Sequence, residues 1–418
     1  MQDELVHRRK QWILVAAVAS LSLPAFLMRG HVFSISTGID TLLYGVAIFG
    51  AAFLLSWGAE VAQLDISQGL AIAFLAFVAV LPEYAVGLVF AWKGGHEDKL
   101  APVHGSCGTT PCSQFTLANM TGANRLLIGL GWAVVVLVWW KRSRQRSVEL
   151  PLARRSDLGF MFLATLWAFS IVVRKELSII DAVVLFALFA GYIWHVSREE
   201  SGHPELIGPP LAIAGLAVWA RRAVTISLFV YAAFAILASA EPFADGLVRT
   251  GGNLGINRFL LVQWLAPLAS EAPEMIIAIL FVLRAKPDQG LGTLVSSKVN
   301  QWTLLVGTVP LVYGLAYGSI THPLHLDARQ VEEVLLTAAQ SLFAAAVLAS
   351  LSITRGEAVG LLVLFLAQFG FQNQAVRYGF AGAYLLLFVV LLAKDAASRK
   401  GLWRAVRHAL SKPGNYAD

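Results

Sequence analysis

Charge is what this sequence lacks. Only 14% of its 418 residues are Asp, Glu, Lys or Arg, against about a quarter in a soluble globular domain, and that shortage excludes a protein whose whole surface meets water. Cysteine is nearly absent, two residues in all, so no second cysteine pair exists to complete a zinc-finger type of metal site. There is no HExxH, GxSxG or GxGD stretch, which removes the recognisable hydrolytic and intramembrane enzymes and leaves no enzymatic activity to expect. No stretch is long and polar enough for a soluble regulatory domain.

What is abundant is apolar: 57% of the chain. A membrane-crossing helix needs roughly 20 such residues, and the apolar runs predict an all-α, polytopic protein of about eleven or twelve spans. The uncertainty lies in how 333–393 divides, because 357–370 is a short apolar run of its own. With the N-terminus placed in the cytoplasm, the inner segments are 1–11, 64–65, 141–156, 196–222, 284–292, 353–356 and 394–418. These hold 3, 0, 6, 3, 2, 1 and 6 Lys+Arg, 21 of the 32 in the chain. The positive-inside rule selects that orientation, with both ends cytoplasmic and an even span count, in a plasma (inner) membrane. The pI near 9.4 follows from these anchoring charges and predicts no nucleic-acid partner. The first run, Trp12 to Met28, follows His7, Arg8, Arg9 and Lys10 but lacks a small-x-small cleavage site, so it reads as a retained helix.

One pattern occurs twice. LPEYAVGL around Glu83 is followed by ANMTGANRLLIGLG, and APEMIIAI around Glu274 by SSKVNQWTLLVG; Asn124 and Asn300 each precede a glycine, Gly131 and Gly307, by seven residues. A carboxylate deep in hydrocarbon is costly, so one at the equivalent place in both halves points to a cation site made by duplication. The organisation expected is 1–39, an N-terminus and extra helix; 40–196, a first repeat; 197–221, a cytoplasmic connection; 222–393, a second repeat; and 394–418, a basic tail placed on anionic lipid. Five spans per repeat, an odd number, force the second to enter the membrane inverted. Pro82 and Pro273 each delete a helical hydrogen bond and free a carbonyl oxygen beside Glu83 and Glu274, and hard cations such as Ca²⁺ and Na⁺ take such oxygens.

The twofold occurrence of a Pro-Glu helix followed by an Asn-bearing stretch resembles the alpha repeats of the calcium/cation antiporter superfamily, which includes the sodium/calcium exchangers. The likeness covers roughly 40 to 393 and includes the helix-loop-helix lead-ins before each motif. It implies a secondary-active antiporter that moves Ca²⁺ or Na⁺ against Na⁺ or H⁺ by alternating access at mid-membrane. The ion ligands so implied are Glu83 and Glu274, with Asn119, Asn124, Ser270, Glu271 and Asn300 around them. An Asn in a membrane also glues helices together, and that role stays open for Asn119, Asn124 and Asn300. A cation channel using the same carboxylates is the competing class, although inverted repeats favour a moving gate over a fixed pore. The partners are the bilayer and small inorganic cations; the ions are cargo, and no cofactor is expected.

Departures from the pattern matter as much. Ala79 and Val80 stand where the family carries a Thr-Ser pair, Glu271 stands at the second Ser position, Val295 at an Asn position and Lys298 where Gly is usual; Arg125 follows Asn124. If Glu83, Glu271 and Glu274 share a cavity with Lys298 and Arg125, the fully ionised cluster carries minus one, which favours a monovalent or proton-linked cycle. Sodium/proton exchange with Lys298 as a tethered cation is one reading of that lysine; snorkelling to the cytoplasmic interface is the other. Cys107 and Cys112 fall in the loop assigned to the outside, where oxidation is permitted, and are expected to pair as a disulfide ahead of a metal site with His96 and His104.

Overall fold

A computed structural model of the protein describes residues 2–30, 37–65, 81–100, 107, 110–198, 206–369, 371 and 373–411. Ala79, Val80 and His104 lie outside the described residues. The described residues form two compact units, 1–89 with 200–273 and 90–199 with 274–418.

In the first unit, α1 (Gln2–Ser20) and α2 (Leu23–Arg29) are one apolar segment broken at Leu21 and Ser22, just ahead of Pro24. At the break the Ala19 carbonyl accepts from the Ser22 amide at 3.3 Å and the Ser22 hydroxyl at 3.0 Å, and Tyr231 adds to them: its hydroxyl donates to Ala19 O at 2.7 Å and lies 3.1 Å from Ser22 Oγ. The first unit continues with α3 (Thr37–Ala62), the start of α4 (Leu81–Leu100), α9 (Pro209–Ala214), α10 (Val218–Leu254) and the part of α11 (Arg258–Leu283) up to Pro273. Helices α3 and α10 pack along each other antiparallel. Thr41 and Thr250 meet at 3.3 Å at one end of the pair. At the other, Asp65 accepts two hydrogen bonds from Arg221, 2.8 and 2.9 Å, and one from Arg222 at 3.1 Å.

The second unit is a bundle whose two ends are clasped by short antiparallel ribbons. Helix α5 (Cys112–Leu126) passes through a π-helical stretch, Leu127–Trp132, into α6 (Ala133–Ser143). Helices α7 (Arg155–Arg174) and α8 (Ile179–Val196) follow, the latter started by a capping box between Ser178 and Asp181. Then α12 (Pro287–Asn300) passes through a second π stretch, Gln301–Leu305, into α13 (Val306–Tyr317). The chain closes with α14 (Ala328–Leu348), α15 (Arg355–Phe369), α16 (Gln374–Lys394) and α17 (Ala396–Leu410). Strand β1 (Ser147–Glu149) pairs with β4 (Ser352–Thr354), and β2 (Glu176–Leu177) with β3 (Leu324–His325).

The ribbons fix the sense of each helix. The α5–α6 helix leads into β1 and α12–α13 leads into β3, so they run in opposite directions. Likewise α7 runs from the β1–β4 end to the β2–β3 end, and α14 runs back. Corresponding members of the two halves are therefore inverted. Each ribbon also ties two loops that the charge count assigns to one side, 141–156 with 353–356 inside, and the loops after α7 and α13 outside.

Nine helices among the described residues are long and apolar enough to cross a membrane. Helix α4, the α12–α13 helix and α15, whose 15 residues span only about 22 Å, bring the count to twelve. The range 222–393 thus holds six helices where five were expected. The odd parity of the repeat is kept because α16 stands after it as an additional helix, as α1–α2 stand before the first. Helix α17 lies across the β1–β4 end, close enough that Gly159 and Gly401 sit against the Ala405 and Ala349 carbonyls. Its Ser398, Leu402, Ala405 and Ala409 are buried, while Arg399, Lys400, Trp403, Arg404 and Arg407 face out.

Candidate functional site

Glu83 and Pro82 occupy the first turn of α4, and the Glu83 side chain is buried at 1% exposure. Ser270, Glu271, Pro273 and Glu274 lie on α11, which continues through Pro267 and Pro273. A proline nitrogen donates nothing, so Gln263 and Ala269, four residues earlier, lose their usual helical donors. Ser270 Oγ turns back to the Ala266 and Pro267 carbonyls at 3.3 and 3.2 Å. Ser270 and Glu271 are buried and Glu274 is half-buried, with Oε2 enclosed and making no hydrogen bond to protein.

The second unit brings a defined set together. Lys298 is fully buried; its Nζ donates to Asn124 Oδ1 at 2.5 Å and stands 4.4 Å from the centre of the Trp302 ring. That is a charge-assisted hydrogen bond with a cation–π contact behind it. Asn124 Nδ2 donates to Met120 O at 2.8 Å, which orients the amide so that its oxygen is the atom offered to the lysine. Trp302 is itself held, donating to Thr165 Oγ1 at 3.1 Å. Lys298 is therefore an interior cation on α12, and the snorkelling alternative fails because its ammonium ends in a buried amide and not at the surface. Asn119, on α5 one and a half turns before Asn124, is buried with neither atom of its amide hydrogen-bonded to protein. Asn300 is buried at the last residue of α12.

Arg125 does not join Lys298. Successive residues on a helix point about 100° apart, so while Asn124 faces α12, Arg125 faces α14 and pairs there with Glu333. Glu333 also takes Arg377 from α16 and Arg329 at 3.3 Å, and Arg377 reaches Glu332. Arg125, Arg377, Glu332 and Glu333 are all at most 3% exposed in their side chains. The charge sum that counted Arg125 beside the motif carboxylates is corrected accordingly: this arginine is neutralised elsewhere.

Sequence reasoning missed that cluster, and a second one in which buried Asp157 accepts from Arg154 at 3.1 Å, Tyr192 at 2.6 Å and Ser296 at 3.3 Å. It also missed the π stretches, each beginning within three residues of a motif Asn. A signal existed: Asp157 follows Asn124, and Glu333 follows Asn300, by the same 33 residues. Cys107 and Cys112 form a disulfide, and Glu97 Oε2 accepts from the Cys112 backbone amide at 2.9 Å.

A family model described as sodium/calcium exchanger protein matches residues 35–198 and 224–373, about three quarters of the chain. The solved structure titled H⁺/Ca²⁺ exchanger CAX is 41% identical, with a TM-score of 0.89, covering 96% of this chain and 98% of that one. A Ca²⁺/H⁺ antiporter, YfkE, is 16% identical with a TM-score of 0.61 over 91% of this chain and all of its own. A sodium-calcium exchanger, NCX_Mj, is 16% identical with a TM-score of 0.52 over 81% and 99%. At that identity the last two share the fold alone. Comparison with curated proteins finds no match. A polytopic chain with a duplicated motif, matched in both halves by one family model, belongs to the sodium/calcium exchanger family of membrane cation antiporters.

Proposed function

We propose that the protein exchanges Ca²⁺ for protons, with Glu83, Glu271 and Glu274 as the carboxylates that serve both ions and with Lys298 as a built-in cation. The observation that carries this reading is the Lys298 ammonium, fully buried and bonded to Asn124 on the motif helix of the other repeat. A permanent interior cation fills a place that a co-transported Na⁺ would otherwise take. Arg125 is committed to Glu333 and so does not offset the motif carboxylates. Oxygen donors suit a hard cation, and Asn119 offers a buried amide that makes no hydrogen bond among the described residues. The 41% identical structure is titled an H⁺/Ca²⁺ exchanger, which supports the same ion pair. Asn124 acts through Lys298, and Ser270 and Asn300 complete the polar surroundings. The membrane is the plasma (inner) membrane, with both chain ends cytoplasmic, as the excess of Lys and Arg on that side supports.

The test is transport in sealed proteoliposomes with an acidic lumen, a lumenal pH dye and a calcium indicator. External Ca²⁺ is expected to enter while the lumen turns alkaline, and Glu274→Gln to abolish both signals. Ca²⁺ flux driven by Na⁺ without a pH signal would overturn proton coupling. Lys298→Met is expected to change the ratio of protons to Ca²⁺ and the pH dependence; an unchanged ratio and profile would refute the tethered cation.

A further inference from the structure

The clusters around Asp157 and Glu333 occupy equivalent places in the two repeats. Each acid follows its motif Asn by 33 residues and sits in the first turns of its helix, α7 or α14. Because these helices run in opposite directions, Asp157 lies toward the β1–β4 end of the second unit and Glu333 toward the β2–β3 end. Each acid reaches into the other repeat. Asp157 accepts from Ser296 on α12, with Arg154 bridging at 2.9 Å to the same hydroxyl; Glu333 takes Arg125 on α5. The helices so held, α12 and α5, are the two that carry the Asn motifs and Lys298. Ser296 lies two residues before Lys298, and Arg125 one residue after Asn124. Beyond each tethered stretch comes a π-helical turn, a local geometry that lets a helix change register and that recurs at functional sites.

We propose that Asp157 and Glu333 are repeat-related latches: each holds the motif helix of the opposite repeat at one end of the bundle, and alternating access proceeds by releasing one while the other stays closed. They are positioning residues, acting on the ion site through Ser296 and Arg125. The arrangement is asymmetric in strength, since the Glu333 latch joins full charges and the Asp157 latch closes on α12 through a hydroxyl. This rests on the antiport common to the family and not on the ion pair proposed above.

The experiment uses the full-length protein in sealed vesicles of known orientation and an impermeant maleimide added to one face at a time. The reporters are single cysteines, Ser297→Cys on α12 or Thr121→Cys on α5, with the Cys107–Cys112 disulfide left intact. Loss of one hydrogen bond from a latch shifts the equilibrium between the two end states about fivefold. Ser296→Ala, which takes both Asp157 and Arg154 off α12, is therefore expected to raise labelling of Ser297→Cys at least about fivefold from the face at the β1–β4 end and to lower labelling of Thr121→Cys from the opposite face. Arg125→Met/Glu333→Gln is expected to do the reverse. Ser296→Ala removes one hydroxyl and carries the test alone if the double variant does not fold. Equal increases from both faces, or changes under twofold at both reporters, would overturn the latches. Labelling needs no transported ion, so this result and that of the transport assay can fail separately.

Discussion

Three guanidinium groups share two carboxylates in the interior of the second unit, and the way they share them ranks the cost of removing each. Arg125, Arg329 and Arg377 against Glu332 and Glu333 carry a net plus one. Glu333 is the hub, taking Arg125 on one oxygen and Arg377 and Arg329 on the other. Replacing Arg125 by Met lowers the sum to zero and leaves Glu333 with two partners, so the loss is that of one charge-assisted hydrogen bond, about 1.5–3 kcal/mol. Replacing Glu333 by Gln raises the sum to plus two and leaves Arg125, 1% exposed, without a countercharge; breaking a buried pair in that way costs about 3–5 kcal/mol. The double variant returns the sum to plus one and is expected to be more stable than Glu333→Gln alone. Thermal midpoints in detergent measure this, at roughly 2–4 °C per kcal/mol for a unit of this size. The reasoning fails if Arg125→Met is the more damaging single change. It fails equally if the double variant loses the sum of the two singles to within about 0.5 kcal/mol, which would mean the residues are uncoupled.

Asp65, outside the apolar part of α3, gives a pH dependence of known sign. Hydrogen bonds from Arg221, and then from Arg222, hold its carboxyl below the usual carboxylate range. A lowered acid adds stability above the ordinary Asp value, about 3.9, and that stability disappears as pH falls through the lower folded value. The unfolding midpoint of Asp65→Asn should therefore lie below that of wild type at pH 6 and approach it as pH falls below about 4; a constant difference across the range would dismiss the brace. In the second unit, a Cβ added to Gly401 would lie 1.9 Å from the Ala349 carbonyl oxygen. Gly401→Ala should cost about 1–3 kcal/mol and lift α17, read as faster proteolysis within 396–410. Unchanged cleavage would show that α17 docks by some other surface.

The fold was legible because bilayer physics leaves few options: apolar runs of spanning length must be helices. Glu83, Glu274 and Lys298 stand out as candidates for a related reason, being costly in hydrocarbon against 57% apolar sequence. What could not be read was pairing. Arg125 and Lys298 looked alike as cations beside motif asparagines, but one residue of helical rotation separates the face of Asn124 from that of Arg125, and sequence alone does not say which neighbour each face meets. The partner of Arg125 comes from position 333, more than two hundred residues away, and a third group, Arg377, from a helix outside the repeat. Glu332, Glu333 and Asp157 carry no signal of their own, because near a helix end an acid is ordinarily a cap or a solvated charge. The equal spacing from Asn124 to Asp157 and from Asn300 to Glu333 is the trace that duplication left. It became meaningful only once the ribbons showed that α7 and α14 run in opposite directions, because inversion turns one repeated position into two positions at opposite ends. The proposed latches rest on that placement, an acid toward each end of the second unit, and labelling from each face in turn decides whether the two holds release separately.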